Sequence, residues 1–197
     1  YFVRIGGCDV GCHWCDVKES WNAELHPPTS VDKIVENAVK YADTVVVTGG
    51  EPLTWDMTLL TSKLKERGLK LHIETSGAYS LSGTWDWICL SPKKNKLPTQ
   101  TVYDNADELK VIIYNKHDFV FAEEQASKVN GSALLFLQPE WSKKEEMTPI
   151  IVDYLGLYPI TTNTNFGAVN ANATTFSDGF VSVNRFQVNG GGGVTAP

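Results

Sequence analysis

The chain has 197 residues, a formal net charge of -6 and 42% hydrophobic residues, as is ordinary for a globular protein. This length suits one well-buried domain, and no apolar run approaches the roughly 18 residues that a membrane span needs. The acidic balance disfavours nucleic acid as a partner, because phosphate contacts need a surplus of Lys and Arg. We therefore expect a soluble, cytoplasmic protein that binds neither membrane nor nucleic acid.

Strand-like and helix-like segments alternate along the chain, which predicts an α/β fold with helices packed against a parallel sheet. Ser30 is the predicted N-cap of a first helix whose apolar residues recur at three- and four-residue spacing. The predicted strands are YFVRI (1–5), TVVVTGG (44–50), LKLHIET (69–75), WDWICLSP (85–92), DELKVIIY (107–114) and ALLFLQP (133–139). Later helices are predicted at LLTSKLKER (59–67), which ends at Gly68, at HDFVFAEEQASKVNG (117–131), and at EEMTPIIVDYLG (145–156), with Pro149 near its first turn.

The composition changes abruptly at about Pro159, beyond which Asn, Thr, Gly and Val dominate and no helical period remains. We expect residues 158–197 to be a low-complexity tail, disordered or weakly structured, that is unrelated to a core domain over residues 1–157. The chain opens without a methionine, directly on the strand-like YFVRI. We therefore expect the core to be truncated at its N-terminus.

Three of the four cysteines lie within eight residues, as Cys8, Cys12 and Cys15 of CDVGCHWC. A disulfide between two of them would strand the third thiol, so thiolate ligands in a reducing compartment fit better. Gly11 lets the loop curl around one centre, and three thiolates on a four-iron cluster leave one iron open for a substrate or cofactor. Two alternatives stay open: three buried free thiols, and zinc with His13 as the fourth ligand.

The C-x3-C-x2-C spacing after a first strand resembles the radical S-adenosylmethionine superfamily, whose second signature is matched by TGGEP, residues 48–52. The further segments RIGGCDVGCHWCDVKESW, ETSG, SPK, ELK and LQPEW resemble the 7-carboxy-7-deazaguanine synthase family over residues 1 to about 157. This resemblance implies a partial (β/α)6 radical S-adenosylmethionine barrel. It also implies three cofactors, namely a [4Fe-4S] cluster, S-adenosylmethionine and Mg2+.

The resemblance further implies a radical lyase that converts 6-carboxy-5,6,7,8-tetrahydropterin to 7-carboxy-7-deazaguanine with loss of ammonia, in queuosine and deazapurine biosynthesis. An electron donor such as flavodoxin or ferredoxin and a homodimer are implied as partners. Two other functions stay open, an activase that installs a glycyl radical on a partner and a non-catalytic iron–sulfur or zinc-binding remnant. LQPEW and CDVKESW argue against the activase, and the retained GGEP, ETSG and SPK segments argue against the remnant.

Residue roles are carried over from the family by position. The residues implied in binding S-adenosylmethionine are Gly49, Gly50, Glu51, Glu74, Thr75, Ser76, Ser91, Lys93 and Gln138. Those implied in binding the substrate are Arg4, Gly77 and Pro139. Glu51 supplies charge for the methionine ammonium in this interpretation, and a guanidinium at position 4 suits a substrate carboxylate. Plain structural roles stay open, with Thr75 or Ser76 as a helix cap and Arg4 as a surface residue.

One residue departs from the family pattern. Val17 stands where other members have a threonine that helps bind Mg2+, which leaves a water, the neighbouring Asp16 or the substrate carboxylate as the Mg2+ ligand. A family strand that contributes a glutamine and a glutamate to the pterin pocket would lie upstream of Tyr1. Cys89, in the apolar stretch WDWICL, is expected to be a core thiol and not a fourth cluster ligand.

Overall fold

Parallel strands alternate with helices in the computed structural model, which describes residues 1–157 and 183–186. The chain divides into two compact units, Tyr1–Asn105 and a second that begins at Ala106. The single core domain over residues 1–157 stays a prediction. Apart from residues 183–186, the predicted tail lies outside the described residues.

The first unit is built on four strands, β1 (Phe2–Ile5), β2 (Thr44–Gly49), β3 (Lys70–Thr75) and β4 (Trp87–Leu90). Each strand pairs in parallel with the next, so their spatial order is their chain order. Alternate residues of β2 and β3 are fully buried, namely Val45, Val47, Leu71 and Ile73. Burying these side chains removes apolar surface from water, which is the main stabilising contribution to such a sheet.

Three helices accompany these strands, α1 (Val31–Tyr41), α2 (Thr58–Glu66) and α3 (Gln100–Asn105). The predicted N-cap is confirmed, because the Ser30 hydroxyl accepts a hydrogen bond of 3.3 Å from the Lys33 amide. The predicted stop of α2 is also confirmed, since Gly68 follows it with a φ of +74°. Helix α3 was not predicted, because six residues are too few to show an apolar period.

The second unit contains β5 (Glu108–Ile113), α4 (Asp118–Ala126), β6 (Leu134–Pro139), α5 (Lys144–Leu157) and β7 (Val183–Phe186). Strands β5 and β6 are parallel, and β7 pairs antiparallel with β6. The prediction that Pro149 lies near the first turn of its helix is wrong, since Pro149 lies inside α5. A 3-10 helix at Trp141–Lys143 leads directly into α5, so helical structure begins earlier than the proline suggested.

The α/β class predicted from the alternating pattern is therefore confirmed by four parallel strands in the first unit and two in the second, with intervening helices. Among the described residues, no helix is both long and apolar enough to cross a membrane. The loops that follow the carboxyl ends of β1 to β4 carry most of the predicted site residues. In parallel α/β folds these ends are where ligand-binding loops gather.

Candidate functional site

The cysteine loop, residues 8–15, follows β1 and carries three half-buried free thiols, those of Cys8, Cys12 and Cys15. Gly11 has a φ of +68°, which is the left-handed conformation that lets the loop curl. The Trp21 indole N–H donates a hydrogen bond of 3.3 Å to the Cys15 sulfur. A donor on the sulfur of a cluster ligand is one of the contacts by which proteins adjust a cluster's reduction potential.

Burial raises the pKa of the Cys8 thiol, an effect that a backbone hydrogen bond from Val10 opposes. Burial also raises the pKa of Cys12, where the positive charge of Lys93 opposes the increase. Both thiols therefore favour the protonated form in the metal-free protein. Iron binding has to displace those protons, because only the thiolate is a metal ligand.

The zinc alternative requires four ligands grouped around one centre. Among the described residues, no three His, Cys, Asp or Glu side chains are grouped closely enough to hold one metal ion. Tetrahedral zinc needs four ligands around one centre, with Zn–S distances of about 2.3 Å. Three thiolates that each bind a different iron of one cluster are spread more widely than the ligands of one ion. The zinc alternative thus has no preformed site among the described residues, and Cys8, Cys12 and Cys15 stay the predicted ligands of a [4Fe-4S] cluster.

The glycines that end β2 pack tightly against the chain that enters the cysteine loop. A Cβ at Gly49, whose φ is +140°, would lie 2.2 Å from the Ile5 carbonyl oxygen. A Cβ at Gly50 would lie 2.3 Å from the Gly7 carbonyl oxygen and 2.9 Å from the Cys8 Cβ. These positions require glycine for a reason inside the chain, since any side chain would push the cysteine loop away from β2.

The Glu51 carboxylate is buried, with 1% exposure. One oxygen accepts hydrogen bonds from the Leu53 amide and the Thr75 hydroxyl, and the other accepts from the Ser76 amide and hydroxyl at 2.7 and 2.6 Å. The Glu51 amide in turn donates to the Gly7 carbonyl at 2.8 Å. Because a carboxylate has about four acceptor positions, all of those on Glu51 are filled by its own chain.

The residues after β3 form one connected group around this carboxylate. Thr75 is 3% exposed and Ser76 is 7% exposed, so neither hydroxyl lies open to solvent. The Gly77 amide donates to the Thr75 hydroxyl at 2.9 Å, which continues the chain of hydrogen bonds from Glu51. The plain alternative of helix capping is not seen for Thr75 or Ser76, because no described helix begins there.

Ser91 and Lys93 meet directly after β4. The Lys93 ammonium donates hydrogen bonds of 2.6 Å to both the carbonyl and the hydroxyl of Ser91. It also lies 5.5 Å from the centre of the Trp14 ring, which is within range for a cation–π contact. With its effect on Cys12, this places a positive charge beside the cysteine loop.

The remaining predicted residues lie apart from these contacts. Arg4 in β1 and Asp16 after the last cysteine are exposed, and Glu74 in β3 is half-buried. Gln138 is half-buried and Pro139 is buried, and both end β6 of the second unit. Their predicted roles toward cofactor and substrate stay predictions.

Sequence reasoning missed four residues in or beside the cysteine loop, namely Asp9, Tyr79, Asn95 and Lys96. The Tyr79 hydroxyl and the Lys96 ammonium both donate to the Asp9 carboxylate, the latter at 3.0 Å. Hydrogen bonds from Tyr79 and from Lys96 lower the pKa of Asp9 below its usual value. No sequence spacing connects positions 87 residues apart, so only the fold could bring them together.

A cavity of about 360 Å³ opens beside the first cysteine. Its lining residues are Gly7, Cys8, Asp9, Trp21, Thr54, Trp55 and Tyr79. Cys8 is the only one of these that the sequence had predicted as a site residue. The cavity leaves one side of the cysteine loop accessible from solvent.

Comparisons with known proteins agree with this geometry. The model described as the radical SAM superfamily matches residues 2–88. A 7-carboxy-7-deazaguanine synthase from Flavobacterium psychrophilum is 77% identical over 155 residues, which cover 79% of this chain and 74% of the relative. Another from Synechocystis is 49% identical over 156 residues, with the same two coverages of 79% and 74%.

A solved structure extends the agreement to the fold. The crystal structure of QueE from Escherichia coli matches with a TM-score of 0.68 and 26% sequence identity, over 79% of this chain and 80% of that chain. The predicted radical S-adenosylmethionine fold is thereby confirmed. The chain belongs to the 7-carboxy-7-deazaguanine synthase family of radical S-adenosylmethionine enzymes.

Proposed function

We propose that this protein is a carbon–nitrogen lyase that converts 6-carboxy-5,6,7,8-tetrahydropterin to 7-carboxy-7-deazaguanine with loss of ammonia, in queuosine and deazapurine biosynthesis. The observation that carries the proposal is the packing of the Gly49–Glu51 edge against the chain that leads into Cys8. This packing joins the two signatures of the family in one site. The relatives named above are synthases, which favours this function over the activase and the remnant.

The family implies a [4Fe-4S] cluster and S-adenosylmethionine as cofactors. Cys8, Cys12 and Cys15 are the residues that would hold the cluster. When bound, the cluster supplies the electron that cleaves S-adenosylmethionine and starts the radical chemistry. The indole N–H of Trp21 places a hydrogen-bond donor on the sulfur of Cys15.

For S-adenosylmethionine, the proposed contacts are those that the family pattern assigned, with one change of role. The two carboxylate oxygens of Glu51 accept four hydrogen bonds from its own chain. This supports a role in which Glu51 positions the Gly49–Gly50 backbone. The backbone carbonyls of Gly49 and Gly50 are hydrogen-bond acceptors, and in this proposal they bind the methionine ammonium in place of Glu51. The remaining proposed contacts are Glu74, Thr75, Ser76, Ser91, Lys93 and Gln138.

For the substrate, we propose contacts from Arg4, Gly77 and Pro139. Arg4 is exposed at the end of β1 that leads to the cysteine loop, and its guanidinium can bind a carboxylate through two hydrogen bonds. Arg4→Gln is expected to raise KM for the pterin while the cluster stays bound. Arg67→Gln, at an exposed arginine after α2, is the matched control and leaves KM unchanged.

Magnesium belongs to the same proposal. Asp16 carries an exposed carboxylate directly after the third cysteine, and carboxylate oxygens are preferred Mg2+ ligands. Val17 offers no side-chain oxygen. We therefore propose that Asp16 and the substrate carboxylate take over the ligation that a threonine provides in other members.

The finer partner and location predictions are proposals as well. We propose a small electron-transfer protein such as flavodoxin or ferredoxin as the reductant, a homodimer as the assembly, and the cytoplasm as the location. The four described cysteines are all free thiols, which supports a reducing compartment.

Product analysis tests the proposed function. The protein is reconstituted anaerobically with iron and sulfide, reduced, and supplied with S-adenosylmethionine and 6-carboxy-5,6,7,8-tetrahydropterin. Mass spectrometry is expected to detect 5′-deoxyadenosine and 7-carboxy-7-deazaguanine. Deoxyadenosine without the deazaguanine would contradict the substrate, and a bound cluster that yields neither product would contradict the enzyme.

A further inference from the structure

The segment after β4 turns back on itself and reaches the cysteine loop. Lys93 and Lys96 form an isolated antiparallel bridge, and the Lys96 amide donates to the Lys93 carbonyl at 3.3 Å. We name residues 93–96 the 93–96 turn. Three side chains of this turn contact the cysteine loop or the residues packed on it, namely those of Lys93, Asn95 and Lys96.

Asn95 holds the backbone of the cysteine loop between the first two cysteines. Its side-chain amide donates to the Val10 carbonyl at 3.2 Å and to the Gly11 carbonyl at 3.0 Å. A side-chain amide has two N–H donors, and both are used here. The Val10 side chain is buried with 5% exposure, and Gly11 has a positive φ, so these bonds hold the backbone where the loop turns.

Lys96 holds the residue that follows Cys8. Its ammonium donates to the Asp9 carboxylate at 3.0 Å and to the Tyr79 hydroxyl at 2.6 Å, and it lies 3.9 Å from the centre of the Tyr79 ring. The Tyr79 hydroxyl donates to the other carboxylate oxygen of Asp9. One such exposed pair is weak, but three groups joined in a ring restrict one another.

We propose that Asn95 and Lys96 are positioning residues that hold the cysteine loop in the conformation that binds the cluster. A loop that is already ordered loses less conformational entropy when iron binds, so the cluster is retained longer. The inference rests on the proposed function only in that it requires an iron–sulfur cluster on Cys8, Cys12 and Cys15. Neither residue touches the reacting atoms in this proposal.

Asn95→Asp tests the first contact, since a carboxylate keeps the shape of the side chain but has no N–H to donate. Asn105→Asp is the matched control, because the Asn105 amide also donates to a backbone carbonyl, that of Thr101 at 2.8 Å. The readout is the rate at which absorption near about 400 nm decays after a chelator is added anaerobically. We expect about tenfold faster loss in Asn95→Asp, as for two lost hydrogen bonds, and no change in the control.

Lys96→Gln tests the second contact and also decides the proposal if Asn95→Asp fails to fold. Lys63→Gln is its control, because Lys63 pairs with Asp32 and its side chain has the same 37% exposure as that of Lys96. We expect about threefold faster cluster loss in Lys96→Gln and none in Lys63→Gln, with restoration in Lys96→Arg. Each metal-free variant should lose no more in unfolding temperature than its matched control, which separates positioning from general stability.

The outcomes separate this inference from the proposed function. A wild-type protein that holds no cluster contradicts the proposed function. A wild-type protein that holds the cluster, with equal loss rates in Lys96→Gln and Lys63→Gln, contradicts the positioning role. An altered electron paramagnetic resonance spectrum of the reduced cluster in Asn95→Asp, with the wild-type spectrum in Asn105→Asp, would support it.

Discussion

The cysteine loop and the Gly49–Glu51 edge that packs against it differ in burial, although both belong to the first unit. The three thiols of the loop are half-buried, and side chains from outside the loop hold its backbone. At the edge, Glu51 is 1% exposed and its carboxylate is filled by hydrogen bonds from the same chain. The region proposed to bind the cluster is partly exposed, and the region that packs against it is buried.

Physical chemistry accounts for the contrast. A metal-binding thiolate has to remain accessible until iron arrives, and its pKa can be raised by burial without loss of structure. Burying a carboxylate without hydrogen bonds costs several kcal/mol. The buried Glu51 carboxylate therefore needs a hydrogen-bond donor at each of its acceptor positions. Substitutions in the loop should therefore change cofactor binding, whereas substitutions in the edge should change stability.

The largest effect is expected for Cys12→Ala. Removal of one of the three proposed thiolate ligands should abolish the absorption near about 400 nm after reconstitution. Cys89→Ala is the control, because Cys89 is a core thiol with 4% exposure in β4. Its spectrum should match that of the wild type, and a full cluster in Cys12→Ala would contradict the ligand assignment.

Gly50→Ala should be the most damaging change in the edge. Its new Cβ would meet the Gly7 carbonyl oxygen at 2.3 Å, so the backbone has to move, at a cost of about 3 kcal/mol in the free energy of unfolding. Gly131→Ala is the control, since nothing lies within 4 Å of a Cβ there. Chemical denaturation of the two metal-free variants measures the difference, and equal stabilities would refute the close packing.

Glu51→Gln should destabilise the protein by about 2 kcal/mol, because an amide group would face N–H and O–H donors that need an acceptor. Glu66→Gln is the control, as Glu66 accepts one exposed hydrogen bond of 3.2 Å from Ser62. The free energy of unfolding again provides the measurement. A Glu51→Gln variant of wild-type stability but with much weaker S-adenosylmethionine binding would favour the direct ammonium contact predicted from the sequence.

Trp21→Phe should lower the reduction potential of the bound cluster. In the wild type the Trp21 N–H stabilises the reduced state of the cluster, which is the more negative state, and the variant lacks this donor. A difference of about 1 kcal/mol corresponds to about 40 mV for one electron. Trp85→Phe is the control, because the Trp85 indole donates to the Ser82 carbonyl at 2.8 Å and not to a sulfur. Equal potentials in a redox titration would show that the Trp21 contact does not act on the cluster.

The smallest effect concerns pH. Hydrogen bonds from Tyr79 and Lys96 lower the pKa of Asp9, so the stabilisation is present above the unfolded value of about 3.9 and is lost as the pH falls through the lower folded value. Asp9→Asn should remove this acid-side dependence from the metal-free protein. Asp32→Asn, at another exposed carboxylate paired with a lysine, should leave it in place when unfolding is followed from pH 5 down to about pH 2.

Much of the fold could be read from local pattern. Continuous β-branched runs such as residues 44–50 and periodic helices such as α1 carry their signal in adjacent residues, and both were predicted. Short elements lack that signal, which is why the six-residue helix α3 was missed, whereas the 14-residue helix α5 was predicted to within one residue at each end. Element boundaries depend on neighbouring contacts that a single segment does not encode.

The sequence by itself determined the three thiols, their spacing and the glycines at the end of β2, because these depend on residue type and on separations of a few positions. Only the tertiary structure decided what those residues touch. It turned Gly50 toward Gly7 and Cys8, filled the acceptors of Glu51, and brought Asn95 and Lys96 to a loop more than eighty residues away. Such contacts follow from the parallel order of β1 to β4, which gathers distant loops at one end of the strands.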